Sequence, residues 1–174
     1  MNASPNKEIF IQLINENKGI VYKVCNAYCR NKDNKDDLAQ EILYNLWKSF
    51  HSFRTDLKFS TWMYRIALNV AISFYRKEKK SESHVEIYDD VTVFKENEKD
   101  IHSEDNLLLL HSFIDKLKEI DKSIILLYLD DKSQKEIAEI TGITESNVST
   151  RINRIKYKLK SNFLTNQNNH HGTK

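Results

Sequence analysis

The sequence is poor in residues that interrupt helices. It holds one proline and three glycines in 174 residues, and no segment alternates apolar and polar residues with the period of a strand. These absences argue against sheet-based folds and predict an all-α chain. No apolar run is long enough to cross a membrane. The N-terminus lacks the basic-then-apolar pattern of a signal peptide, so the expected location is cytoplasmic, without membrane insertion. Net charge is only +2. Any nucleic-acid role must then rest on where the charges lie, not on their sum. The two cysteines, Cys25 and Cys29, are four apart and share a helical face. No further Cys or His pair sits nearby at ligand spacing, so they read as small core residues rather than metal ligands. No metal or other cofactor is expected.

What is present divides into two blocks. Charged residues make up 30% of the chain and hydrophobic residues 40%, a globular balance at a length fit for one domain or two small ones. Ser4 and Pro5 read as the N-cap and first position of an opening helix. Gly19 reads as a break before a second helix, Ile20 to Arg30. Asp33 or Asn34 reads as the cap of a third, running to about Phe50. With the segment after residue 58, this makes a four-helix domain over 1–80. Ser81 to Asp105 carries nine acids against two bases and no sustained apolar period. It reads as a flexible acidic linker. A second domain spans 106–163. The polar tail 164–174, with His170 and His171, reads as disordered.

The segment Lys58 to Lys80 joins aromatics to cations. At about 100° per residue, Trp62, Arg65, Asn69, Ser73, Arg76 and Lys80 share one narrow stripe. Met63, Tyr64, Ala67, Leu68, Ala71 and their neighbours fill a wide apolar arc, so the helix lies deep in its domain. Tyr64, Phe74 and Tyr75 are thus mainly core. An exposed indole beside two Arg, a Lys and an Asn suits unpaired nucleic acid, where bases stack and the backbone takes counter-charge.

The second domain carries a more specific signal. Ser133-Gln134-Lys135-Glu136 is a capping box. A short helix follows, turned by Gly142, and Thr144 caps the next. Val148, Ile152, Ile155 and Leu159 form a buried seam on that helix. Asn147, Ser149, Thr150, Arg151, Asn153 and Arg154 are expected to project outward, with Lys156, Lys158 and Lys160 extending the basic surface. This is a helix-turn-helix whose second helix suits a major groove.

Together the blocks resemble the extracytoplasmic-function group of bacterial RNA polymerase sigma factors. The resemblance rests on Asp36-Asp37-Leu38-Ala39-Gln40-Glu41, on Phe59-Ser60-Thr61-Trp62-Met63-Tyr64-Arg65-Ile66-Ala67-Leu68-Asn69, and on Lys135-Glu136-Ile137-Ala138 with Val148-Ser149-Thr150-Arg151. It implies that the first domain binds and opens the −10 promoter element, that the second binds the −35 element as duplex, and that the partners are core polymerase (clamp and flap) and promoter DNA. By resemblance, the helix after Asp33 docks on the clamp through Asp37, Gln40, Glu41 and Asn45, with Leu38, Ile42, Leu46 and Phe50 inward. The loop His51 to Phe59 is expected to hold a flipped base. Arg54 and Lys58 would take the phosphates, and either Phe53 or Phe59 would line the pocket. The resemblance also suggests that the linker enters the polymerase RNA channel and that an anti-sigma protein is a further partner. Two departures stand out. Met63 stands where housekeeping factors carry a second Trp, and Ser149 stands where the group often carries Arg or Lys.

Two other readings are weaker. A magnesium-dependent prenyl-converting enzyme would need an acid at Gln40 and a second acidic motif; neither an enzyme nor a small-molecule substrate is expected. A stand-alone helix-turn-helix regulator, dimerising through its first block, would have no use for the Arg65–Asn69–Ser73–Arg76 stripe.

Overall fold

The computed structural model describes residues 5–82, 110 and 112–170, with the side chains of 7–79, 110 and 112–161. All regular elements among them are helical. The first domain consists of α1 (Pro5–Tyr28), α2 (Lys32–Ser49), a single 3-10 turn (Phe50–Ser52) and α3 (Phe59–Glu82). The second has a short helical turn over 112–115, then α4 (Glu119–Leu129), α5 (Gln134–Thr141) and α6 (Glu145–His170).

The first domain therefore has three long helices, not four. The expected break at Gly19 does not occur, and α1 runs through it. One helical glycine costs only about 1 kcal/mol. Phe10, Ile20, Val21 and Val24 are all buried along α1, and each buried side chain of this size contributes roughly 1.5–3 kcal/mol. Packing on both sides of Gly19 outweighs its poor propensity. The cap of α2 is also displaced from the expected Asp33 or Asn34. Asn31 supplies it instead, its side-chain oxygen accepting the Asn34 backbone N–H at 2.7 Å. Asn31 offers a short polar side chain of the same kind two residues before Asp33 and three before Asn34.

Leu38, Ile42 and Leu46 on α2 are wholly buried, as their spacing predicts. They meet Met63, Tyr64, Ala67 and Ala71, the wide apolar arc of α3, and Val24 and Cys25 of α1. Phe50 is only half-buried at the end of this seam. Burial pushes the Cys25 and Cys29 thiols up to about 11, so they stay protonated and behave as small core groups.

Local signals shape the second domain as read. Both halves of the capping box form: the Ser133 hydroxyl accepts from the Glu136 N–H at 3.2 Å, and Glu136 accepts from the Ser133 N–H at 3.0 Å. Gly142 takes the left-handed conformation at φ 73 and closes α5 with a bond to the Ala138 carbonyl, a position where any Cβ is disfavoured. The Thr144 hydroxyl accepts the Asn147 N–H at 3.3 Å. Val148, Ile152 and Ile155 are buried, with Leu159 half-buried beside them. The tail differs from expectation. The α6 backbone stays helical to His170, six residues past Leu164, because no glycine or proline stops it before Gly172. Ser4, Lys80 as a side chain, the proposed linker from residue 83 onward and residues 171–174 lie outside the described residues.

The two domains share a core. Ile124, Leu127, Ile137, Ile140, Val148 and Ile152 belong to the same buried cluster as the α1–α3 core. Helix α5 packs on α3, and α4 meets α1.

Candidate nucleic-acid interface

The α3 stripe forms as a surface, with one change. Arg65, Asn69, Ser73 and Arg76 are exposed in a row. Trp62, expected at its head as an exposed indole, is only 9% exposed. The reason is the loop before α3. It folds back and lays Phe53 and Phe59 each 5.3 Å from the Trp62 ring, with Phe50 at 6.3 Å. Helical geometry placed Trp62 on the stripe; the loop then covered it. Phe59 is buried in the same cluster.

That cluster floors an open cavity of about 730 Å³ lined by Phe53 and Phe59 together with Ile9, Leu13, Trp47 and Thr55. Its volume falls within the ~300–1,000 Å³ usual for sites that accept a flat organic group. Both candidate phenylalanines line it, packed edge to face at 5.3 Å. Arg54, between the lining residues Phe53 and Thr55 in sequence, is held by Asp56 through two bonds of 3.2 and 2.8 Å.

Arg65 and Arg76 of the stripe, and Lys58 before it, are engaged by the second domain. Arg65 donates to the Glu139 carbonyl at 2.6 Å. Lys58 pairs with Glu136 at 3.3 Å, and Arg76 with Glu119 at 3.5 Å. Beside them, Asp130 accepts from the Tyr64 hydroxyl at 2.8 Å and pairs with Lys23. Lys122 is buried between the rings of Tyr28 and Tyr75, 5.5 and 5.4 Å from their centres. The Tyr28 and Ser123 hydroxyls lie 2.7 Å apart across the same junction. Exposed ion pairs of this kind contribute at most about 1 kcal/mol each, so the shared apolar core carries most of the closure.

Three junction carboxylates sit below their ordinary range. For Glu136 the chief cause is the Ser133 backbone N–H, then the Ser133 hydroxyl, with Lys58 adding to it. For Glu119 it is its own backbone N–H, with Arg76 adding. For Asp130 burial acts to raise the value, and bonds from Lys23 and Tyr64 overcome it. A carboxyl with a depressed folded pKa stabilises above its unfolded pKa and loses that contribution as pH falls through the folded value. The ordinary values are 3.8 for Asp and 4.5 for Glu. All three carboxylates therefore make their full contribution at neutral pH. Acid titration is expected to loosen the junction below about pH 4 without parting the shared apolar core, read as a small fall in energy transfer between the domains, with Asp130→Asn reducing the steepness of that change.

On α6, Asn147, Thr150, Asn153, Arg154 and Lys158 are exposed, as expected for a reading face. Ser149 and Arg151 differ: both are half-buried. Arg151 lies toward α4, where Asp121 accepts its guanidinium at 2.6 Å and that of Arg154 at 2.8 Å. The helical period could not reveal that partner.

On α2, Asp37 and Gln40 are exposed, while Glu41 and Asn45 are half-buried. Asn45 spends a donor on the Glu41 carbonyl at 2.8 Å. The same helix exposes Tyr44, Trp47 and Leu43, at 63%, 46% and 38%. Sequence reasoning did not single out Leu43 and Trp47; their signal was an apolar spacing wider than one buried seam needs.

Comparison with known proteins assigns both domains. The Sigma-70 region 2 family matches residues 13–81 and the Sigma-70, region 4 family matches 107–159. RNA polymerase sigma factor SigV of Bacillus subtilis is 33% identical over 85% of this chain and 87% of its own. The ECF RNA polymerase sigma factor SigW of the same organism is 30% identical over 88% of each chain. Among solved structures, CnrH in complex with the cytosolic domain of CnrY has the same fold, with a TM-score of 0.67 at 22% identity over 92% of this chain and 91% of that one. RpoE of Bartonella quintana, in complex with the anti-sigma factor NepR, gives 0.60 at 17% over 89% and 94%. With two sigma-70 domains, a stripe and aromatic cavity on one and a capped helix-turn-helix on the other, the chain belongs to the extracytoplasmic-function group of RNA polymerase sigma factors and serves promoter recognition in transcription initiation.

Proposed function

We propose a division of labour among named residues. The stripe Arg65, Asn69, Ser73 and Arg76, with Lys80 continuing it, tracks the opened −10 strand. Arg54 and Lys58 hold its phosphates beside the Phe53–Phe59 cavity, which takes a flipped base. Trp62 supports that cavity from beneath and meets DNA only when the loop shifts. The exposed face of α6 (Asn147, Thr150, Asn153, Arg154 and Lys158), with Ser149 and Arg151 at its edges, reads the −35 duplex. Asp37, Gln40, Glu41 and Asn45 on α2 face the polymerase clamp, joined there by Tyr44, Trp47 and Leu43. The flap of the polymerase holds the second domain. The protein acts in the cytoplasm, carries no catalytic chemistry of its own, and is restrained by an anti-sigma partner of the kind that holds Bartonella quintana RpoE.

The observation that carries this reading is the occupied stripe. A stand-alone helix-turn-helix regulator has no use for such a stripe, whereas a factor that opens DNA only with polymerase can keep it covered until then. Here Lys58, Arg65 and Arg76 already have partners in the second domain, so the free chain binds −10 DNA weakly and polymerase must part the domains. Transcription with purified core polymerase and mapping of start sites tests it. Two unlike elements at a fixed spacing are the expected result. Tight binding of the free dimer to a palindrome would instead establish a stand-alone regulator. For the dock, Glu41→Lys is expected to lower affinity for core polymerase about tenfold by like-charge contact. Undiminished holoenzyme formation by titration would place the dock elsewhere.

A further inference from the structure

Asp121 is an unusual acid in this domain. It is 6% exposed, sits in the first turn of α4 and binds two arginines through separate oxygens. Oδ1 accepts from Nη1 of Arg151 at 2.6 Å, and Oδ2 accepts from Nη2 of Arg154 at 2.8 Å. A buried carboxylate is costly without full pairing, and here both oxygens are met by charged donors. The two arginines are three apart on α6, so they rise from one side of the helix. Each guanidinium has five N–H donors in a fixed plane. One bond to Asp121 restrains each guanidinium and leaves four donors on each for other partners. Side-chain exposure of 33% for Arg151 and 51% for Arg154 shows that both still reach the surface.

We propose that Asp121 is a positioning residue for −35 recognition. It touches no DNA. It restrains where the guanidinium groups of Arg151 and Arg154 sit, so sequence preference there depends on a carboxylate from a different helix. The inference rests on α6 being the −35 reader. The physical reason is entropy: a free arginine carries about 2 kcal/mol of rotamer freedom that is lost on contact, and a tethered one has lost it already. Tethering also offsets the repulsion between two neighbouring cations. The opposite role is a carboxylate that withholds both arginines from DNA, and it predicts the opposite sign.

The test uses holoenzyme on promoters with a randomised −35 element. Asp121→Asn keeps the shape and removes the charge. Its −35 preference is expected to flatten by about five- to tenfold, within the range of one bidentate base contact. In an Arg151→Ala, Arg154→Ala background, Asp121→Asn is expected to flatten it no further. Asp121→Glu retains the charge but moves the oxygens outward, and it too is expected to shift the preference. It carries the test if the Asn variant does not fold by circular dichroism. An unchanged preference in the folded Asp121 variants, or tighter binding by Asp121→Asn, overturns the proposal. If the double arginine variant itself keeps the wild-type preference, the base-reading role of these arginines fails and the positioning role with it. If only that variant loses preference, the reading stands and positioning alone is wrong.

Discussion

Trp62→Ala is expected to lower the stability of the first domain by about 3–5 kcal/mol and to abolish promoter opening. The indole is the centre of an aromatic group, with Phe53 and Phe59 each 5.3 Å away and Phe50 at 6.3 Å. Removing it leaves a cavity under the loop, and the loop then no longer holds Phe53 against Phe59. Chemical denaturation measures the first effect, and transcription on duplex and pre-melted templates the second. Trp62→Phe separates fold from function. It keeps an aromatic filler and should cost less than half as much stability, yet still favour pre-melted over duplex template. If Trp62→Phe transcribes both templates as wild type does, the indole has no part in opening beyond packing.

Asp130→Ala is expected to loosen the domain junction by roughly 1–3 kcal/mol, the cost of removing one partner from a buried hydrogen bond. Asp130 ties down two residues of the first domain, Lys23 and Tyr64, while Lys132 of its own domain lies 3.5 Å away. Its loss strands the Tyr64 hydroxyl, and Tyr64 is wholly buried as a residue. With the domains apart, Lys58, Arg65 and Arg76 lose their partners. Single-stranded −10 DNA should then bind the free chain about tenfold more tightly, because the competent fraction rises. Fluorescence anisotropy reads the affinity, and energy transfer between the domains reads the opening. Opened domains with unchanged DNA affinity would remove the stripe from the binding surface.

Legibility differed with the range of the interaction. The capping box at Ser133, the left-handed Gly142 and the Thr144 cap all work within four residues, and each appears where the sequence puts it. Gly19 failed as a stop signal because propensity is a weak local term and the buried residues around it decide. Leu38, Ile42 and Leu46 were legible by period, since four-residue spacing fixes which face is apolar. Trp62 was not, because a helical wheel takes no account of a loop folding back over its first turn.

The sequence by itself determined an all-helical chain of two sigma-70 domains, the caps and turn of the reading motif, the inward seams, and the cationic row from Arg65 to Arg76. These follow from composition, period and contacts between near neighbours. Tertiary structure alone decided what those faces meet. Tyr64 finds Asp130 66 residues away, Arg65 finds the Glu139 carbonyl 74 away, and Arg151 finds Asp121 30 away. Helical period assigns a side chain to a face, but only the packing of one helix on another gives that face a partner. For this protein the partners are the second domain over the stripe and one buried carboxylate under two arginines.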